Sequence, residues 1–202
     1  MGMYWGEFKT AVLGKMFSSK NGSISTTSKN NRDYVTMMPQ AVNEGLAIIG
    51  NAVRWPRKNT EIEVELSDRK QSFNIADIAM DFKRVGGFEI YLLDDEDVPN
   101  PLDGASIVAN RLIIPAGVSG NVVWYYDGAY EKIESDVRDT DEIDADDDVI
   151  SVLVLYVVSQ LYMDDDLTTA LNWRTQFDSA LSILAGNNPV EEHTEFQSVN
   201  GW

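Results

Sequence analysis

The sequence predicts an α+β protein: a four-helix frame, two helices from each end of the chain, around an inserted antiparallel β-sheet or small sandwich. Apolar residues recur at spacings of three and four toward both ends, as in helices buried on one face. In the middle the period changes to two, in short runs ended by Gly, Pro, Asn and Asp. At 202 residues and 44% hydrophobic content, the chain is long and apolar enough to bury a core.

The first helix is read from Trp5, Phe8, Val12 and Met16, which share one face; Lys9 and Lys15 are expected to point elsewhere. Residues 18–33, SSKNGSISTTSKNNRD, hold Gly, Asn, Ser and Thr with almost no apolar side chains, and read as a mobile loop. A second helix is expected after Pro39, which would occupy the first turn, where its missing N–H costs nothing. Its stripe is Met38, Val42, Leu46, Ile49 and Val53, widened by Ala41, Ile48 and Ala52. Trp55-Pro56 ends it, because a residue before proline avoids the helical region.

Residues 60–66, TEIEVEL, alternate strictly, with Ile62, Val64 and Leu66 on one side and Glu61, Glu63 and Glu65 on the other. Ser72–Ala76 reads as a partner strand. FEIYLL (88–93), SIVANRLIIP (106–115) and NVVWYYDG (121–128) complete five short strands. In the last of these, Val122, Trp124 and Tyr126 alternate with Val123 and Tyr125, so both faces are apolar and a central position in the sheet follows. Residues 131–148 carry ten acids and two bases. The apolar run at 149–163 is too long for a strand and reads as a buried helix, with Asp146, Asp147 and Asp148 at the end where negative charge stabilises it. Asp164-Asp165-Asp166 breaks it. A fourth helix follows with Ala170, Trp173, Phe177, Leu181 and Leu184 as its stripe and Gly186 as its C-terminal cap. The organisation is a discontinuous helical domain (1–55 and 145–186), a β insertion (56–130), an acidic linker (131–144) and a tail (187–202).

Charge is polarised. Residues 1–60 sum to +5 and residues 61–202 to −22, for a net of −17. An acidic body repels a phosphate backbone, so wrapping nucleic acid is not expected; a polarised one suits docking on charged protein surfaces. The absence of cysteine excludes disulfides, thiolate metal sites and a cysteine nucleophile. The one histidine, His193, lies in the tail and leaves little for a histidine-centred triad or metal site. No apolar run is long enough to span a bilayer, and the N-terminus lacks the basic region and small-residue cleavage site of a signal peptide. The expectation is a soluble chain made in the cytoplasm.

Chemistry-bearing motifs are missing. The runs Asp94–Asp97 and Asp144–Asp148 lack the glycine and spacing of a calcium-binding EF-hand loop. There is no P-loop, GxGxxG, GxSxG or HExxH. The expectation is no enzyme, no catalytic residue, no cofactor and no metal. The partner-binding candidates are Lys20, Lys29 and Arg32 in the loop, opposite in sign to most of the body, and Phe196 and Trp202 in the tail, with no helix to bury them.

The C-terminal pattern is more specific than the fold class. An acidic run, then Asp147-Asp148-Val149-Ile150-Ser151-Val152-Leu153-Val154-Leu155-Tyr156, then Met163-Asp164-Asp165-Asp166, then a helix with Trp173-Arg174 and Phe177, resembles the head-to-tail adaptor (neck) proteins of tailed bacteriophages. The Ala41-Val42-Asn43-Glu44-Gly45 stretch and the Ile78–Leu93 region add to the likeness, and the tail tubular proteins of short-tailed phages look nearest. The resemblance implies a structural virion protein in a ring, usually of twelve copies. The ring would sit under the portal, contact tail or nozzle proteins, and pass DNA through its channel without specific binding or any membrane. The alternatives are an acidic ligand- or calcium-binding module with the sheet as platform, and a hydrolase using two carboxylates.

Overall fold

The computed structural model describes residues 2–17 and 26–187, side chains of 85–88 and 187 aside. The class is α+β. The described residues divide into two compact units, one formed by residues 2–56 with 129–187 and the other by Arg57–Gly128.

The helical unit contains α1 (Trp5–Met16), α2 (Arg32–Ala52), α4 (Asp147–Leu161) and α5 (Leu167–Asn187). Helix α4 is its axis, with α1, α2 and α5 all packed against it. That position explains its composition: Val149, Ile150, Val152, Leu153, Val154, Tyr156, Val157, Val158 and Leu161 are all buried. Val42, Leu46, Ile49, Val154, Leu161 and Phe177 share this core, and Leu181 packs on it half-buried. Helices α2 and α4 approach closely at Gly45, where a Cβ would lie 2.6 Å from Leu153 Cδ1 and 2.8 Å from Tyr156 Cδ1.

Several expectations fail here. Helix α2 begins at Arg32, after a 3₁₀ turn over Lys29–Asn31, so residues 29–33 are not loop and Pro39 lies inside the helix rather than in its first turn. An internal proline costs a helix about 3 kcal/mol. Burial of Met38, packing of Tyr34 and Val35 on the same core, and a hydrogen bond from the Tyr34 hydroxyl to Asp165 hold the first turns in place. Ala52 is exposed rather than part of the stripe. Gly186 does not cap α5, which runs through it to Asn187. Lys9 does not point away: it is 8% exposed, with its ammonium 2.5 Å from Asp139.

That ion pair belongs to a strap, residues 129–146, which lies in the helical unit. Carbonyls of Asp141 and Asp139 accept from the Trp5 and Gly6 N–H groups at 2.8 and 3.0 Å, satisfying donors that a helix start leaves open. The Asn43 amide grips the strap from α2, donating to the Ile133 carbonyl and accepting from the Ile133 N–H, both at 2.9 Å. Tyr130 donates to the Arg54 carbonyl at 3.1 Å, and the Arg54 guanidinium reaches Asp146 and Asp148 at the start of α4.

The β unit is two antiparallel sheets sharing a core. The first has the order β1 (Arg57–Val64), β7 (Gly120–Gly128), β3 (Phe82–Leu93), β4 (Pro99–Pro101). The second has the order β2 (Gln71–Asn74), β6 (Arg111–Ile114), β5 (Ser106–Val108), and a one-turn helix α3 (Ile75–Ile78) follows β2. Ile62, Val64, Ile90, Val122, Trp124 and Tyr126 of the first sheet meet Leu112 and Ile114 of the second. The central position of β7 holds. The Ser72–Ala76 segment pairs with β6, not with β1, and turns helical at Ile75. Residues 106–115 are a hairpin rather than one strand: Ala109 (φ 47°) and Asn110 (φ 61°) form a two-residue turn with both residues left-handed. An alanine there carries no turn signal. Leu66 lies beyond the end of β1 and is 73% exposed.

Candidate functional site

Of the residues expected to bind partners, Lys20, Phe196 and Trp202 lie outside the described residues, as does His193. Lys29 and Arg32 are exposed, one in the 3₁₀ turn and the other at the first position of α2. No described ion pair involves either. The two cations stand three residues apart in the sequence, where the 3₁₀ turn passes into α2.

The β unit holds a surface that the sequence reading missed. The pleat sends Ile62, Val64, Val122, Trp124, Ile90 and Leu92 to the core, so the alternate positions form the outer face of the four-stranded sheet. There Tyr91 and Tyr125 meet edge to face with centroids 5.9 Å apart, and Val123, two residues before Tyr125 on β7, is the register partner of Tyr91. Arg57 bonds Glu89 at 2.9 Å and lies 3.5 Å from Asp127, and Arg84 Nε donates to Asp127 at 2.9 Å. This network keeps the buried Asp127 carboxylate matched by two guanidinium groups, as a buried charge requires. The available signal is the two-sided apolar pattern of β7, which by itself marks only a central strand.

A cleft of about 270 Å³ opens at the β3–β4 edge, lined by Glu89, Ile90, Tyr91 and Pro101 through Ala105. Asp103 lines it from the turn leaving β4, where Gly104 takes φ 79°. The adjoining hairpin tip is Asp94–Asp97, organised by the Asp94 carboxylate. It accepts from the Glu96 and Val98 N–H groups at 3.0 and 2.9 Å, and these bonds, with the Asn100 amide, hold its carboxyl below the usual range. The acids of this tip are therefore ordered by the turn and face solvent.

Elsewhere the shifted groups are structural. Burial opposes charge on Asp81, yet hydrogen bonds from Lys58 and Tyr126 leave its carboxyl lowered. Burial pushes the Tyr130 hydroxyl up to about 12. Burial together with the Asp81 carboxylate does the same to Tyr126. Among the described residues, no three His, Cys, Asp or Glu side chains group as a metal site would require, and no helix is long and apolar enough to cross a membrane.

No family model and no curated protein matches this chain. Among solved structures it is similar to a chain of "Neck of empty GTA particle computed with C6 symmetry", at 12% identity and a TM-score of 0.29, over 86% of this chain and 92% of that one. A score that low carries no argument about function.

Proposed function

We propose that this chain is a non-catalytic structural protein of a phage-type neck, a head-to-tail adaptor whose copies form a ring under the portal and join capsid to tail. The observation that carries the reading is the helical unit. Its central helix α4, buried on nearly every face, is followed by the Asp164–Asp166 break and by α5, whose Phe177 ring packs on Tyr156 at 5.1 Å. This is the part of the chain that resembles the neck adaptors. The acidic excess supports it as well, because a channel that lets DNA slide must not hold it.

In this reading the 187–202 tail, through Phe196 and Trp202, docks on the portal, and the basic corner with Lys20, Lys29 and Arg32 meets a charged neighbour. Light scattering with negative-stain imaging tests the ring: closed rings, alone or on portal-bearing heads, are expected, and a chain that stays monomeric in both settings defeats the reading. Deleting 187–202 tests the docking element. The truncated protein should fold normally yet fail to join portal-bearing heads. Infectious particles completed by truncated protein would remove the tail from that role.

A further inference from the structure

We propose that the cleft at the β3–β4 edge is an intersubunit socket that receives the basic corner, Lys29 and Arg32, of a second copy of this chain. The inference rests on the ring reading and names the contact that closes it.

Residues 85–110 contain six acids and no Lys or Arg, so beyond Lys83 and Arg84 the rest of β3, β4 and the turn after it are of one sign. Residues 8–32 contain five bases and no acid. Two of those bases are occupied inside their own unit: Lys9 is buried against Asp139, and Lys15 lies 5.6 Å over the Trp173 ring. Lys29 and Arg32 are exposed and carry no described ion pair. Arg69 and Lys70 follow Glu65 and Asp68, Lys132 stands between Glu131 and Glu134, and the Arg111 guanidinium is bonded to Ser72; Asp33 follows Arg32 and offsets one of the two charges of the Lys29–Arg32 corner. The Lys29–Arg32 corner thus keeps a net positive charge in an acidic molecule.

The cleft has the chemistry to take it. Glu89 on one wall is held in place by Arg57, with its side chain still half exposed. Asp103, which also lines the cleft, is exposed and has no described ion pair. Tyr91 gives a ring for a guanidinium or ammonium group to lie over, and Pro101, its register partner on β4, adds apolar lining for the methylene stem. The hairpin tip Asp94–Asp97 beyond it deepens the negative field that draws a cation in. A socket on one face and a plug elsewhere make a head-to-tail contact, the kind that closes into a ring rather than a two-fold dimer. Complementary charge at such a contact sets register and speeds encounter.

The test is a charge swap on the full chain. Asp103→Lys and Arg32→Glu each alter an exposed residue, and circular dichroism should show unchanged folding. Each variant alone is expected to self-associate about tenfold more weakly than the parent in sedimentation at low salt, a loss that shrinks as salt rises. An equimolar mixture of the two variants should recover association, because the acid introduced at position 32 of one copy then meets the base introduced at position 103 of the other. A control, Arg69→Glu, should leave association unchanged. Parent-like association by both single variants, or failure of the mixture to recover, overturns the socket while the ring stands. Recovery in a double variant without dependence on concentration overturns it too, since it shows the contact forms within one chain. A parent that never associates, alone or on heads, overturns socket and ring together.

Discussion

Replacing Asn43 by alanine removes a side chain that acts as a strand partner for one residue. Both of its hydrogen bonds go to the backbone of Ile133, at 2.9 Å each. Ile133 is 8% exposed, so water cannot fully replace the lost partner. Two such bonds are worth about 1 kcal/mol each, and groups left unpaired add to the loss, so Asn43→Ala should cost about 2–3 kcal/mol. The assay is urea unfolding followed by far-ultraviolet circular dichroism, with hydrogen exchange at the Ile133 amide as a local readout. Asn43→Asp sharpens it. At neutral pH its carboxylate accepts from the Ile133 N–H but sets a second oxygen against the Ile133 carbonyl. Protonation restores a donor, so the folded state raises this carboxyl above its unfolded value near 4. The variant is therefore closest to the parent at acid pH and loses stability as pH rises through the folded value. An alanine variant within about 0.5 kcal/mol of the parent, with unchanged exchange at Ile133, would show that Asn43 does not hold the strap.

Other perturbations follow from the same geometry. Phe177→Ala empties a site that is fully buried against Tyr156 and should cost about 3–5 kcal/mol in urea unfolding; a loss under about 1 kcal/mol rejects the core described for α4 and α5. Ala109→Asn should gain about 0.5–1 kcal/mol, because asparagine tolerates the left-handed turn position that alanine holds at a cost; a destabilised variant contradicts the hairpin geometry. Tyr34, held by Asp165, and the buried Tyr126 and Tyr130 ionise near 12 rather than 10, so the folded state keeps its protons longer than the unfolded chain. Stability from these groups is present below pH 10 and is lost between about 10 and 12; a native ultraviolet titration complete by pH 10.5 would contradict it. Calcium, magnesium or a chelator should leave the melting temperature unchanged, and a stoichiometric calcium-dependent rise would revive the acidic binding module.

The helices at both ends, the change of period in the middle and the centrality of β7 were legible in the sequence because each follows from local periodicity. A stripe at 3.6 spacing or an alternation of two needs a buried face, and so marks the element without reference to its partner. Periodicity also located the core side chains of α2 and α5 closely. It failed where distant groups overrule local preference. Pro39 signalled a helix start, yet packing of Tyr34, Val35 and Met38 carries α2 back to Arg32. Lys9 read as a solvent-facing base, yet it is buried, with its ammonium paired to the exposed carboxylate of Asp139, 130 residues away. Residues 131–144 looked like a charged linker, and nothing local in them says that Asn43 and the first turn of α1 bind their backbone. The candidate site divides the same way. The surplus of positive charge near Lys29 and Arg32 and the acid-only stretch at residues 85–110 can be read from the chain alone, because charge is additive along it. That Glu89, Tyr91, Pro101 and Asp103 share one cleft comes from folding, because strand pairing and a left-handed glycine turn bring them together across the hairpin.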